Sequence, residues 1–480
     1  MADPRGRRRS GGRPPAARPG VDPARLAAVE VLATVRADDA YTNLALPHAL
    51  RRHGLTGRDA AFATELASAT IRRQGTYDAV LGACVDRPLA KVQAKVLDVL
   101  RLGAHQLLGM RVPPHAAIST SVDLVRGRVG GGAAGFVNAV LRRVGEHDLA
   151  TWVRRLAPDP AGDPAGFAAL AHAHPRWVVE ALGSALREGG ASAPEELTSL
   201  LVADNEPPRV VLVARPGVAS RDELLSAGAT TTRLSPYGVV LAGGDPGELP
   251  AIAEGRAGVQ DEGSQLVALA LAAADLDGPD ARWLDLCAGP GGKAALLACL
   301  AAGRSARLLA VERQPHRAGL VRSSTRVVPG MLGILAADGT RPAWRAGAFD
   351  RVLVDAPCTG LGALRRRPEA RWRRSASDLD ALVPLQRALL TSALDAVRPG
   401  GVVLYATCSP VLAETAGVVG AVLAGRDDVH LVDAGATLRR AAVRLDPVDS
   451  AGPLPGTVQL WPHRHGTDAM FLALLRRGVG

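Results

Sequence analysis

Cysteine is scarce in this chain and never clustered. The five residues Cys84, Cys287, Cys299, Cys358 and Cys408 form no Cys-x-x-Cys pair, so neither a zinc site nor a disulfide framework is a natural reading, and no metal is expected. No stretch approaches about 20 uncharged apolar residues, which argues against a membrane-spanning helix. No apolar core follows Arg7-Arg8-Arg9, so a secretory or twin-arginine signal is rejected, and a cytoplasmic protein with reduced thiols is expected. There is no internal repeat.

What is present is a basic chain of ordinary hydrophobicity. Its 480 residues are 47% hydrophobic, enough for roughly two to four domains with full cores. A formal charge of +10 favours a polyanionic partner, most often nucleic acid, although a GC-rich genome that encodes Arg and Ala freely produces the same bias. Arginine rather than lysine carries the charge, and its planar fork suits phosphate. Residues 1–22 hold Arg5, Arg7, Arg8, Arg9, Arg13 and Arg18 among Gly, Pro and Ala. With almost nothing to bury, they are expected to form a disordered basic arm.

Beyond the arm the rhythm changes twice. Residues 23–146 read as all-helical: Leu26, Val29, Leu32 and Val35 recur at helical spacing, and breaks fall at Gly54, Gly75, Pro113-Pro114 and Gly130-Gly131-Gly132. Residues 147–255 mix helical pattern with one strand-like run, 209–215, and read as a small α/β connector. Residues 256–480 alternate strands with helices, predicting strands at 282–286, 307–312, 333–337, 350–355 and 401–407 in a parallel sheet of βαβ units. The runs Val458–Trp461 and Ala469–Leu474 are too close for a parallel crossover and predict an antiparallel hairpin. A Rossmann-like α/β sheet with a reversed last strand is the architecture of S-adenosylmethionine (SAM)-dependent methyltransferases.

The first of these strands runs into Asp285-Leu-Cys-Ala-Gly-Pro-Gly-Gly-Lys293, followed by a predicted helix at Ala294–Ala301. Glycines let backbone approach a ligand, and a helix N-terminus offers free N–H groups. A P-loop is excluded because Cys287 and Ala294 stand where Gly and Ser/Thr belong, and the dinucleotide pattern Gly-x-Gly-x-x-Gly is not met. Asp285, Glu312, Asp338 and Asp355 close successive strands. Such a row of carboxylates repels pyrophosphate and suits the sulfonium and ammonium of SAM. The expected cofactor residues are Cys287, Ala288, Gly289, Pro290, Gly291, Gly292, Lys293, Glu312, Asp338 and Asp355.

Two thiols complete the pattern. Cys358 lies in Asp355-Ala-Pro-Cys and Cys408 in Thr407-Cys-Ser-Pro, each after an apolar run, and chemistry collects at the carboxyl ends of such strands. Either cysteine alone is as well explained by packing. As a pair they suit methylation of pyrimidine carbon 5, which becomes nucleophilic once a thiolate adds to carbon 6. Between them runs Arg365-Arg366-Arg367-Pro-Glu-Ala-Arg371-Trp372-Arg373-Arg374, read as an RNA grip in which arginines hold phosphates and Trp372 stacks on a base. Segment Gln260–Gln265 reads as a helix start capped by Ser264 or Asp261. His463 and His465 read as exposed turn residues rather than acid or base.

These motifs resemble those of the Nol/Nop/Sun family of RNA (cytosine-5) methyltransferases, and the helical first domain resembles the NusB-like RNA-binding domain. The combination is similar to the bacterial Sun/Fmu branch acting on small-subunit ribosomal RNA, and the likeness covers essentially all of the chain after the arm. The resemblance implies that Cys408 attacks carbon 6, that Cys358 assists release, and that Asp355 contacts the cytosine edge near SAM. Gly289 replaces a usual Ala, and Thr415 follows Glu414 where Asn is frequent. The expected partner is RNA, small-subunit ribosomal RNA above all, with the protein as a monomer. Two alternatives stay open: the same chemistry on transfer RNA, or a non-catalytic RNA-binding assembly or antitermination factor.

Overall fold

A computed structural model describes residues 21–190, 194–441 and 443–479. The arginines of the expected arm, Arg5 to Arg18, lie outside the described residues. The chain divides into two compact units, one ending at Ala157 and the other beginning at Pro158.

The first unit is built of helices: Pro23–Ala37, Thr42–Arg52, Gly57–Arg72, Gln74–Cys84, Ala94–Leu108, Pro114–Arg128, Ala134–Val144 and Leu149–Leu156. The first begins where Asp22 accepts the Arg25 N–H at 2.7 Å and Pro23 fills a position that needs no N–H. Its periodic residues Val29, Leu32 and Val35 are buried as their spacing predicts. Helix Ala94–Leu108 buries Val96, Val99, Leu100 and Leu102, and its buried Asp98 is held by Arg36 at 3.0 Å. The last helix carries the unit past residue 146: Asp148 caps it, and the Trp152 indole donates to the Val144 carbonyl at 2.9 Å.

In the second unit, helices Pro164–Ala171, Arg176–Glu188 and Pro194–Ala203 precede a small antiparallel sheet. Its strands are β1 (Val210–Ala214), β2 (Thr230–Thr231), β3 (Gly238–Leu241) and β4 (Ala257–Val259), in the order β2-β3-β1-β4. This connector is not a separate body. Val178, Leu182, Leu200 and Leu201 share a core with Leu361, Leu364, Val411 and Trp461.

Helix Glu262–Ala273 leads into the main sheet: β5 (Arg282–Asp285), β6 (Arg307–Glu312), β7 (Met331–Ala336), β8 (Phe349–Asp355), β9 (Val397–Thr407), β10 (Val429–Val432), β11 (Val458–Gln459) and β12 (Phe471–Arg477). The order is β10-β12-β9-β8-β5-β6-β7, with β11 paired to β12. Strands β5 to β9 run parallel, and β12 is antiparallel to β9, β10 and β11. The reversed last strand and the hairpin are as predicted. Val352–Val354 and Val402–Ala406 are buried on both faces, which is why they read as unbroken apolar runs. Strand β10 escaped prediction because it is short, borders the edge and includes an exposed His430. Among the described residues no helix is long and apolar enough to cross a membrane, and no cluster of metal-binding side chains occurs.

Candidate active site

Parallel strands bring their carboxyl ends to one edge, and there the structure gathers Asp285, Glu312, Asp355 and Cys408. The loop after β5 is pinned from several directions. Glu312 accepts the Gly289 N–H at 3.1 Å and the Gln314 N–H at 2.9 Å, and Arg317 donates to the Gly289 carbonyl at 2.9 Å. Gly291 has φ +113°, and a side chain there would meet Ser324 Cβ at 2.8 Å and Val321 Cα at 2.9 Å. Only glycine satisfies both the conformation and the approach to helix Pro315–Ser324. Helix Gly292–Ala302 starts directly after it, beginning two residues before and ending one residue after the predicted span.

Asp285 is fully buried; Oδ1 accepts the Cys287 N–H at 3.3 Å and Oδ2 has no partner. Burial, reinforced by nearby Asp355, pushes its carboxyl up to about 7. A buried carboxylate with one free oxygen beside a second carboxylate calls for a cation, and a sulfonium-bearing amino acid fits that demand. Asp338 is half-exposed and accepts from both the backbone and the hydroxyl of Thr340, which hold its carboxyl below the usual range. The residues present fit SAM.

The two thiols meet with Sγ atoms 3.5 Å apart. Cys408 is held below the ordinary thiol range by the hydrogen bond from Cys358, with Arg367 and Lys293 adding positive charge against burial and Asp355. Cys358 is held high by the same bond, then by burial and by Glu414 and Asp355. The shared hydrogen bond, with Arg367 and Lys293 adding positive charge near Cys408, favours the proton of the pair on Cys358. Gly362 wedges against the end of β9, donating to the Cys408 carbonyl at 2.8 Å, and a Cβ there would lie 2.1 Å from the Ala469 carbonyl oxygen.

Lys293, expected in the cofactor loop, reaches across to Asp355 at 2.9 Å. Burial opposes its charge, but Asp355 prevails and raises its pKa. The structure also adds a residue that motif reading passed over. Glu414 is fully buried and accepts from the Thr359 N–H and hydroxyl and from Gln386. The one signal was an acidic residue set within an otherwise apolar run after Cys408. Thr415 beside it donates to the Val411 carbonyl at 3.1 Å.

The arginine segment departs from expectation. Arg371 is fully buried and donates to the Ala173 carbonyl at 3.1 Å, Asn205 Oδ1 at 2.7 Å and the Asp204 carbonyl at 3.0 Å. Arg366 pairs with Asp261 at 2.6 Å and Asp468 at 3.1 Å, and buried Arg365 donates to the Gly466 carbonyl at 3.0 Å. These three arginines bind the fold together, since Asp261, Asp468 and the connector supply acceptors that sequence spacing cannot reveal. Arg367, Trp372, Arg373 and Arg374 remain partly exposed. Asp261, not Ser264, caps helix Glu262–Ala273 through the Gly263 N–H at 2.9 Å. His463 and His465 are not exposed turn residues: His465 Nδ1 accepts the Trp461 N–H at 2.9 Å, and His463 contacts Glu196 at 3.1 Å.

Two family matches divide the chain. Residues 22–146 match the NusB family, and residues 271–476 match the family described as 16S rRNA methyltransferase RsmB/F. A Mycobacterium tuberculosis protein provisionally named a methyltransferase is 53% identical over 97% of this chain and 98% of its own length. The Pseudomonas putida ribosomal RNA small subunit methyltransferase B is 35% identical over 83% of this chain and 88% of its own. Among solved structures, PH0851 aligns with a TM-score of 0.78 at 22% identity, covering 95% of this chain and 99% of that one, which shows the fold.

Proposed function

Because the chain belongs to the 16S rRNA methyltransferase RsmB/F family, with a NusB-family domain before the catalytic one, we propose that it methylates carbon 5 of a cytosine in small-subunit ribosomal RNA, using SAM and a covalent adduct to Cys408. The observation that carries this reading is the thiol pair at 3.5 Å beside the Lys293–Asp355 ion pair at the carboxyl edge of the sheet.

When bound, SAM supplies an electrophilic methyl group; Cys287 to Lys293, Glu312 and Asp338 would hold it, with Asp285 offering charge to its cationic end. Cys408 forms a bond from Sγ to carbon 6, and carbon 5 thereby becomes nucleophilic. Asp355, held by Lys293, supports ring protonation during this addition. Once carbon 5 is methylated, a base takes the carbon-5 proton and the electrons of that C–H bond form the 5,6 double bond. The ring gives back the proton it took up, and the bond from carbon 6 to Cys408 breaks with its electron pair leaving on Sγ. Cys358 assists that release by donating its S–H to the departing thiolate. The target carbon is inaccessible within a base stack, so the cytosine is flipped out or already unpaired.

The test is methyl transfer from labelled SAM to total RNA and to small ribosomal subunits from a strain lacking the gene, followed by nucleoside analysis. Label in 5-methylcytidine of small-subunit RNA is the expected result, and label in transfer RNA changes the substrate. With substrate RNA on denaturing gels, Cys358→Ala accumulates a protein–RNA adduct and Cys408→Ala forms none. The reverse pattern would exchange the two roles, and no label on either substrate would reject the enzyme reading.

A further inference from the structure

We propose that Glu414 is a positioning residue that locks the two cysteine loops into one unit, an inference that rests on the thiol chemistry proposed above. Its carboxylate touches neither thiol, yet it holds the residues beside both. Oε1 accepts the Thr359 N–H at 2.8 Å, directly after Cys358, and Oε2 accepts the Thr359 hydroxyl at 2.5 Å. Gln386, on helix Leu379–Ala396, donates to Oε1 at 2.9 Å and to the Pro357 carbonyl at 2.9 Å, directly before Cys358. The Thr359 hydroxyl also meets Ser409 Oγ at 3.0 Å, directly after Cys408. The backbone of Glu414 is fixed in turn, because its carbonyl accepts the Tyr405 hydroxyl at 2.7 Å from inside β9.

Glu414, Thr359, Ser409, Gln386 and Tyr405 are all buried. Burying a carboxylate is costly unless its oxygens are satisfied, and here they are satisfied by groups flanking the reactive residues. Position and charge act together. The groups facing Cys358 are Cys408, Glu414, Asp355 and the Tyr405 phenol, with Lys293 engaged by Asp355. The negative charge of Glu414 adds to the Cys408 contact and to burial in disfavouring a thiolate at Cys358, which favours Cys408 as the nucleophile.

The test uses the full-length protein and does not depend on RNA. In a Cys408→Ser background, alkylation of Cys358 by iodoacetamide is followed against pH by peptide mass spectrometry, with and without Glu414→Gln. Glu414→Gln keeps the shape and removes the charge, so the alkylation midpoint should fall by about one pH unit, or about tenfold faster reaction at a fixed pH below it. Phenylarsine oxide, which bridges thiols held side by side, should protect both cysteines of the otherwise unaltered chain. That protection should be lost in Glu414→Ala and weakened in Thr359→Val, which removes only the hydroxyl link and remains available where Glu414→Ala does not fold. In methyl transfer, Glu414→Gln should lower kcat about tenfold with the KM for SAM unchanged. Unchanged alkylation and arsenical protection in the Glu414 and Thr359 variants would overturn the proposal. Absence of methyl transfer by the unaltered chain would reject the chemistry, while the thiol measurements would still decide the role of Glu414.

Discussion

Lys293 and Asp355 meet at 2.9 Å across the carboxyl edge of the sheet, one from the first turn of helix Gly292–Ala302, directly after the glycine loop, and the other from the end of β8. The pair joins the cofactor loop to the strand that leads to Cys358. Both side chains are largely shielded, so removing either leaves a charge without its partner.

Asp355→Asn and Lys293→Met should each lower methyl transfer by about 100-fold, and each should reduce the covalent adduct trapped by Cys358→Ala. Breaking such a shielded pair also costs stability, up to about 3 kcal/mol. Single-turnover transfer and urea unfolding on the same samples separate the two effects. Full activity in Lys293→Met would remove the pair from the mechanism.

If SAM binds as proposed, Asp285 should give its binding a pH dependence. Its folded pKa, pushed up to about 7, lies above the unfolded value near 3.9. Its contribution to stability is therefore present at low pH and lost as pH rises through 7. A cationic ligand reverses the preference and favours the ionised carboxylate. SAM affinity, measured by calorimetry, should fall by up to about tenfold per unit below pH 7, and Asp285→Asn should bind weakly at every pH. A flat profile in the unaltered chain would mean that Asp285 does not sense the cofactor.

Arg371 and Arg374 should behave oppositely. Arg371→Lys loses a forked set of bonds to Ala173, Asn205 and Asp204 and should destabilise the second unit by about 3 kcal/mol. Arg374 is partly exposed, with Asp378 only at 3.9 Å. Arg374→Ala should leave stability within about 0.5 kcal/mol and reduce the salt dependence of RNA binding by about one phosphate contact. Filter binding across salt concentrations and thermal unfolding decide both.

His105 ties the stability of the helical unit to pH. It is buried, its Nδ1 lies 2.8 Å from the Tyr77 hydroxyl, and burial pushes its pKa down to about 3. The folded state keeps the ring neutral while the unfolded chain takes a proton below about 6.5. The stability it contributes is thus complete above 6.5 and is lost as pH falls toward 3, at about 1.4 kcal/mol per unit. Hydrogen exchange of helix Ala94–Leu108, corrected for intrinsic rates, should show protection falling from pH 7 to pH 5, and His105→Gln should flatten that trend.

The sequence by itself determined what depends on local pattern. Val352–Val354 and Val402–Ala406 are continuous apolar runs because both faces of a central parallel strand are buried, so β8 and β9 were legible, as were the motifs that end them. The loop from Asp285 to Lys293 was legible because its glycines and carboxylates have few other uses in that order. Tertiary structure alone decided which polar groups meet. Arg371 looked like one member of a basic run until the connector placed Ala173, Asp204 and Asn205 around it. Lys293 could be read as a member of the glycine loop, but its partner Asp355 could not, and Glu414 became significant only when Thr359 and Gln386 closed over it. Apolar burial repeats along a strand or helix and leaves a periodic trace, whereas a hydrogen bond between residues 55 positions apart, such as that from Thr359 to Glu414, leaves none. The methyltransferase class was therefore legible in the sequence, and the long-range packing decided which charges hold the fold together.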